Sequence, residues 1–433
     1  MFYFCPRNIN AMNIPQIDLP RVVVIGCGFA GLKFCKKIDS SKYQVVLIDK
    51  NNYHTFQPLL YQVATSGLEP DSIVYPIRKI FKDKAHFHFR MAETEEIIAE
   101  KKWVKTSIGD LNYDYLVIAT GATSNYFGMS NIEKHGISMK NLTNALDLRS
   151  LIIQNFENAL NTNDLEERER LMNFVIVGAG PTGIELAGAL AELRAHVLPK
   201  DYPDLDIRRM QIHVVEANSR VLAAMSETAS EKTEKYLKQR DIHIWLNTLV
   251  KDYDGNTIFT NKMELSSKTL IWAAGIKADS PIGIASNGRD HRLETDEFNA
   301  IKGLTDVYAI GDVSRIKTED RPQGHAMLGS VAAQQGSHLA KNMNRLQAKK
   351  ELIPFVYNDK GTMATIGRNK AVVDLSFVKF GGFLGWFTWM FVHLMLLVDY
   401  RSRMVVFINW VWDYFNYDKG TRLIVRKYLG TEE

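Results

Sequence analysis

One local pattern, met twice, limits what this chain can fold into more than any other feature. An apolar run at 22–25 feeds into Gly26-x-Gly28-x-x-Gly31, a stretch of helical character comes next, and a second apolar run ends in the acid Asp49. That order is strand, tight turn, helix, strand, the βαβ unit of a nucleotide fold. The first glycine permits the sharp turn, the second lets backbone approach a pyrophosphate, and the third lets helix close on strand. The helix N-terminus then presents N–H groups and positive potential to an anion. Asp49 stands where a carboxylate accepts hydrogen bonds from a ribose. Residues 173–183 repeat the pattern with Gly178-x-Gly180-x-x-Gly183, and a later strand at 212–215 runs into Glu216. Two such clefts predict two dinucleotides on one chain.

The spacing of the later strands supports an internal duplication. A buried strand at 115–121 ends in Thr120 and Gly121, and a counterpart at 270–275 ends in Ala274 and Gly275. Gly121 lies 95 residues after Gly26, and Gly275 lies 97 after Gly178. Small residues at both strand ends let the chain pass close against a cofactor. A further short strand at 306–312, ending in Gly311-Asp312, reads as the chain returning to the first domain and closing over its cofactor. The expected fold is therefore α/β, with two Rossmann-like domains, the first interrupted by the second. The expected boundaries are 21–148 with 283–350 for the first domain, 149–282 for the second and 351–433 for a C-terminal region. An insertion at 198–204 places Glu216 33 residues beyond Gly183, farther than the roughly 20 usual for the ribose acid, which makes Glu216 the less secure of the two acids.

Composition excludes several classes. The chain has 433 residues, 46% hydrophobic and 24% charged, with a formal net charge of +4. Those values fit two or three globular domains and no basic tract, so no nucleic-acid partner is expected. Cys5, Cys27 and Cys35 form no C-x-x-C pair, which argues against dithiol chemistry and against a structural metal. The histidines His86, His88 and His393 lack convergent carboxylates or thiols, so no metal site is expected. The opening twenty residues lack a long apolar core and a small-residue cleavage site, which makes a poor signal peptide, and Met12 offers a second start.

The last segment changes character. Residues 380–398 are uncharged and hold Trp386, Phe387, Trp389 and Phe391, while 404–417 hold Phe407, Trp410, Trp412, Tyr414 and Phe415. Arg401, Arg403, Lys419, Arg422, Arg426 and Lys427 flank them. A spanning helix needs about 20 apolar residues, and three glycines shorten the first run. Aromatic rings at headgroup depth beside cations on an anionic lipid surface suit a pair of helices lying in the interface. A homodimer contact or a buried core, and a true span, are the alternative readings of the same faces.

Taken together, Gly26–Gly31, the segment 54–64 (HTFQPLLYQVA), Gly178–Glu185, residues 309–312, Gln334-Gln335-Gly336 and the aromatic C-terminal helices resemble the type II NADH dehydrogenases. These are single-chain flavoproteins that pass electrons from NADH to a membrane quinone in a respiratory chain. The resemblance implies FAD held by Gly26, Gly28, Phe29, Ala30, Gly31, Asp49, Lys50, Thr120, Gly121 and Asp312. It implies NADH held by Gly178, Gly180, Thr182, Gly183, Glu216, Ala274 and Gly275. Ubiquinone or menaquinone would meet Gln334, Gln335 and Ser330, although the family's Ala-Gln pair is here Gly329-Ser330. Catalytic roles fall to Glu185, holding nicotinamide or relaying a proton, and to Gln334. Glu185 also reads as a first-turn acid favoured by the helix dipole. Glu216 leans towards NADH over NADPH, with Arg220 nearby to soften it. The implied location is a peripheral one, on the cytoplasmic face of a bacterial inner membrane, with no ion pumping. A NADH-binding flavoprotein sensor and a sulfide:quinone oxidoreductase are the rival readings.

Overall fold

The computed structural model describes residues 11–286, 288–319, 321–417, 419–428 and 430. The opening ten residues, with Cys5, lie outside the described residues. The chain forms two compact units. The first gathers Met1–His54, Tyr75–Thr123 and Ile276–Asn358, and the second Thr55–Val74, Ser124–Gly275 and Asp359–Glu433.

The first unit is built on a parallel sheet in the order Val307–Ala309, Tyr115–Ile118, Arg21–Ile25, Gln44–Asp49, Phe87–Met91. Val22, Val23, Val24, Val45 and Val46 are fully buried, as strands covered on both faces must be. The strand at 307–309 is the expected return, paired with Tyr115–Ile118 at the sheet edge. A three-stranded antiparallel layer, Thr94–Ile98, Trp103–Thr106 and Gly109–Asn112, accompanies the sheet. Met12 and Ile14 are buried in the same apolar cluster as Val23, Leu116 and Ile118, so the fold takes in the chain from Met12 onward. Helix Phe29–Lys37 packs on helix Gly329–Gln347. A Cβ at Gly336 would strike the Ala30 backbone, and this glycine sets how closely the two helices approach.

The second unit repeats the design. Its parallel sheet runs Ile137–Ser138, Thr269–Trp272, Phe174–Val177, Ile212–Val215, His243–Trp245. An antiparallel layer of Val250–Tyr253, Thr257–Thr260 and Glu264–Ser266 again accompanies it. The duplication therefore extends from the glycine turns to the order of strands. The units divide at 54/55, 74/75, 123/124, 275/276 and 358/359, whereas the boundary expected at 148/149 falls inside helix Leu142–Leu160. Asn141 caps that helix by accepting from Asn144 N at 2.8 Å. Its buried Leu148, Ile152, Phe156 and Ala159 recur at helical spacing, and Phe156 stacks on Phe174. Phe156 thus ties this helix to the second sheet.

The insertion is absorbed locally. Helix Pro181–Glu192 continues through a π-helical turn, Leu193–Val197, into Leu198–Asp201. The strand Ile212–Val215 still pairs in register with Phe174–Val177.

The C-terminal stretch of this unit carries an antiparallel sheet, Thr362–Thr365, Ala371–Asp374 and Lys379–Gly381. Helices Gly382–Leu396 and Tyr400–Asn416 come after it, the second capped by Asp399 on Ser402 N. At 1.5 Å per residue they reach about 22 and 26 Å, short of a bilayer core of about 30 Å. Among the described residues no helix is long and apolar enough to cross a membrane. Their apolar faces point outward: Phe383, Leu384, Phe387 and Phe391 on the first, Phe407, Ile408, Trp412 and Phe415 on the second are exposed. Gly385, Trp389, Val406 and Trp410 point inward. Several flanking cations are engaged within the protein: Arg422 pairs with Asp201, Arg426 with Asp147, and Arg403 donates to Leu397 O. Arg401 and Lys427 are exposed.

Candidate active site

The two glycine turns are superimposable in their bonding. Gly26 N donates to Ile48 O and Gly178 N to Val215 O, each at 2.8 Å. Both glycines hold positive φ, +97° and +105°, a region other residues rarely adopt. A Cβ on Gly26 would strike the carbonyl of Ala119, and one on Gly178 that of Ala273. A Cβ on Gly31 or Gly183 would strike the carbonyl of the first glycine of its own turn. At Gly28, Gly180 and Gly121, by contrast, a Cβ would meet nothing within 4 Å. The lips of both turns therefore face open space that a pyrophosphate can fill.

The acids close the comparison. Asp49 Oδ2 accepts from Cys27 N at 2.6 Å and Oδ1 from Asn51 N at 2.7 Å. Glu216 Oε2 accepts from Ala179 N at 2.7 Å and Oε1 from Asn218 N at 2.9 Å. Each acid clasps the residue between the first two glycines and the amide two residues beyond itself. The long sequence interval before Glu216 leaves its position in the cleft equivalent to that of Asp49. Burial raises the Asp49 pKa, against the lowering pull of its Asn51 and Cys27 amide bonds. Arg220 donates to Ala223 O at 2.7 Å and Ser230 Oγ at 3.2 Å, so its guanidinium is engaged away from Glu216.

Beside the first turn, Thr120 Oγ1 is buried with no partner among the described residues, and Asp312 sits on the short turn Gly311–Val313. Lys50 is exposed and pairs with Asp279 at 4.0 Å, a surface contact of little energetic weight. Phe29 meets His54 edge-on, and Ala30 is buried beneath Gly311. An orphaned hydroxyl, open glycine lips and a clasped acid fit the phosphate and ribose of a dinucleotide. In the second turn Thr182 is exposed at the helix start. Ala274 and Gly275 are partly exposed at the strand end, with the Phe127 ring against Gly275.

Glu185 departs from the exposed first-turn acid. It is 7% exposed, accepts from Trp389 Nε1 at 3.0 Å and lies 3.4 Å from Thr365 N. Burial, only partly offset by those two bonds, raises its pKa from 4.5 to about 8. Burial thus favours the protonated form of this carboxyl. Trp389, 1% exposed, stacks on His393 at 4.0 Å. Both Trp389 and Thr365 line a cleft of about 100 Å³ with Tyr61, Trp386, Met390 and Trp410. Gln62 spans that cleft wall, accepting from Trp410 Nε1 at 2.7 Å and donating to Tyr61 Oη at 2.9 Å.

Gln334 and Gln335 have different partners. Gln335 is 1% exposed and accepts from Gly311 N at 2.7 Å, which uses its oxygen inside the fold. Gln334 makes two bonds to the Asn358 backbone, at 2.9 and 3.0 Å. One turn earlier, Ser330 Oγ lies 2.9 Å from Tyr357 Oη. Ser330 and Gln334 thus share one accessible helix face with 357–358. Cys27 and Cys35 are buried, and burial pushes both thiols up, Cys35 to about 12, so neither is poised as a thiolate. Among the described residues no cluster of His, Cys, Asp and Glu could hold a metal ion.

Sequence reasoning missed Trp389 as the partner of Glu185, and Thr365, Gln62 and Phe127 as wall residues. The run of aromatics gave no sign of which ring turns inward.

Residues 20–336 match the family model of the pyridine nucleotide-disulphide oxidoreductases, and 360–416 match the NDH2 C-terminal domain. The chain is 30% identical to the type II NADH:quinone oxidoreductase Ndh of Mycobacterium tuberculosis, covering 92% of this chain and 89% of that one. It is 32% identical to NdhA of the same organism, covering 94% and 90%. The fold matches the structure of NDH2 from Plasmodium falciparum in complex with NADH at a TM-score of 0.87 and 22% identity, over 94% and 100% of the chains. The sulfide:quinone oxidoreductase of Aquifex aeolicus shares the fold at a TM-score of 0.68 and 18% identity, over 92% and 95%. The chain belongs to the type II NADH:quinone oxidoreductases, within the pyridine nucleotide-disulphide oxidoreductase family.

Proposed function

We propose that this protein is an FAD-dependent NADH dehydrogenase that delivers electrons to a membrane quinone without pumping ions. The observation that carries the reading is the pair of equivalent cradles, in which Asp49 and Glu216 make the same two amide bonds. Bound FAD supplies the chemistry, taking a hydride and passing two electrons on. The chain's own residues do the rest. In this reading Gly26, Gly28, Phe29, Ala30, Gly31, Thr120, Gly121 and Asp312 hold FAD, Asp49 takes its ribose, and Lys50 stands at the rim. Gly178, Gly180, Thr182 and Gly183 receive the NADH pyrophosphate, Glu216 its ribose, and Ala274 and Gly275 its nicotinamide end. A carboxylate with no free guanidinium opposite it repels a 2′-phosphate, which favours NADH.

Glu185 keeps its proton until the site needs it, and Trp389 Nε1 fixes the carboxyl that carries it. Ser330 and Gln334 supply the polar contacts for a quinone headgroup, while Gln335 steadies the Gly311 turn. The exposed aromatic faces of the last two helices support seating at a lipid surface, on the side where NADH is made, the cytoplasmic face of a bacterial inner membrane. The buried, raised thiols of Cys27 and Cys35 disfavour sulfide chemistry.

The test is steady-state NADH oxidation by purified protein in detergent with ubiquinone and menaquinone analogues. Sustained turnover with NADH, and a lower kcat/KM with NADPH, is the expected result. Sulfide-dependent reduction of quinone, or no turnover with any quinone, would overturn the assignment.

A further inference from the structure

Away from both glycine turns, the second unit contains a cavity of about 250 Å³. It lies between helix Leu142–Leu160, the chain around Ala64 and Ser66, and residues 193–202. Ile152, Phe156, Leu193 and Leu198 give it apolar walls. Among them is Arg149, 5% exposed. Its Nε is buried with no acceptor, and among the described residues no carboxylate pairs with it. Burial alone acts on the guanidinium, pulling its pKa down with no acidic neighbour to offset it.

The carboxylates at the rim are already engaged. Glu157 accepts from Tyr202 Oη at 3.0 Å, and Asp201 pairs with Arg422 at 2.6 Å. Among the described residues Arg149 thus has no ionic partner, Asp201 has Arg422, and the exposed Glu157 carboxylate is held by the neutral Tyr202 hydroxyl. Burying an unpaired charge is costly unless a partner arrives, and a guanidinium fork suits the two oxygens of a phosphate or carboxylate. The space equals about eight waters at roughly 30 Å³ each, more than a bare oxyanion occupies, and Ile152, Phe156, Leu193 and Leu198 make one side of it apolar while Ser66, Tyr202 and charged side chains make the other polar.

We propose that this cavity binds an anionic amphiphile, its oxyanion on Arg149 and its apolar body against Ile152, Phe156 and Leu198. A lipid headgroup and a free amphiphilic anion share that chemistry. The lipid source rests on the proposed membrane seating, since Arg422 comes after the helix assigned to the lipid surface, but the anion site itself does not.

The experiment measures binding to the cofactor-loaded protein, by calorimetry and by shift in melting temperature, with hexyl phosphate, inorganic phosphate and hexanol as probes. Hexyl phosphate is expected to bind at least tenfold tighter than either fragment. Arg149→Met, which removes the unmatched charge, should raise the melting temperature of the unliganded protein and erase the hexyl phosphate shift. Ile153→Trp, which fills the cavity and spares the arginine, should also weaken binding. Equal binding by wild type and Arg149→Met would overturn the proposal, as would binding of phosphate alone as tight as hexyl phosphate, or no binding by any probe. With the site established, vesicles of phosphatidylcholine with and without phosphatidic acid separate the sources. Loss of phosphatidate-dependent binding in Arg149→Met assigns the lipid, and unchanged vesicle binding assigns the free amphiphile.

Discussion

Replacing Glu185 with glutamine should remove a pH dependence from the stability of the protein. The carboxyl is held at about 8 in the fold against 4.5 without it, so the folded state binds this proton more tightly than the unfolded one. Its contribution to stability is complete below about pH 4.5 and is lost as pH rises through 8. At about 1.4 kcal/mol per unit, the full excursion is on the order of 5 kcal/mol. Glutamine keeps the acceptor that Trp389 Nε1 uses but cannot ionise. Urea midpoints of wild type and Glu185→Gln, measured in the cofactor-loaded state from about pH 5 to pH 9, should converge at the acid end. They should separate at the alkaline end, with wild type the weaker. Trp389→Phe removes a bond that lowers this pKa, so its inflection should move to higher pH. Tyr61 shares the environment, its hydroxyl raised first by burial and then by Glu185, and titrates above the window. Parallel curves for wild type and Glu185→Gln across the whole range would refute the buried neutral acid.

The geometry leads to three further outcomes. Glu216→Gln should narrow the preference for NADH over NADPH by about tenfold, roughly 1.4 kcal/mol, seen in the ratio of kcat/KM values. An unchanged ratio would remove the carboxylate from the ribose pocket. Phe387→Glu with Phe391→Glu replaces two exposed rings on one helix face. At about 1.5–3 kcal/mol per buried ring, vesicle partitioning should fall by roughly a hundredfold or more while NADH oxidation with a soluble acceptor persists; unchanged flotation with vesicles would reassign that face. Gly31→Ala forces a Cβ onto the Gly26 carbonyl, so the purified variant should lose bound flavin, and full flavin content would contradict the packing of the turn.

Much of this architecture was legible in the sequence because its signals are local. A glycine turn with a fixed apolar strand before it and an acid after the next strand needs no tertiary information, and both strand–turn–helix units form at the residues where the sequence places them. The strand at 307–309 was legible for the same reason, as a short apolar run ending in Gly-Asp. The packing across residue 148 was not, because the contact of helix Leu142–Leu160 with the strand at Phe174 is made through residues distant in sequence. Segment 54–64 carries apolar residues without a period that names their partner, and all of it but His54 belongs to the second unit. The position of Glu216 was obscured by counting residues, since the added residues form the turns Leu193–Val197 and Leu198–Asp201 and leave the strand register intact. Gln334 and Gln335 are adjacent on a helix and so must diverge by about 100°, which separates their partners. The inward turn of Trp389 depends on the sheet beneath it, where Gly385 permits close approach to Ala371.

Two dinucleotides acting in series on one chain would be seen in an anaerobic spectrophotometric titration of the purified protein. The protein should be yellow, release one FAD per chain on heating, bleach with one equivalent of NADH, and regain its colour with one equivalent of quinone. A colourless protein that takes up no FAD, or a bleached one that no quinone restores, would contradict it.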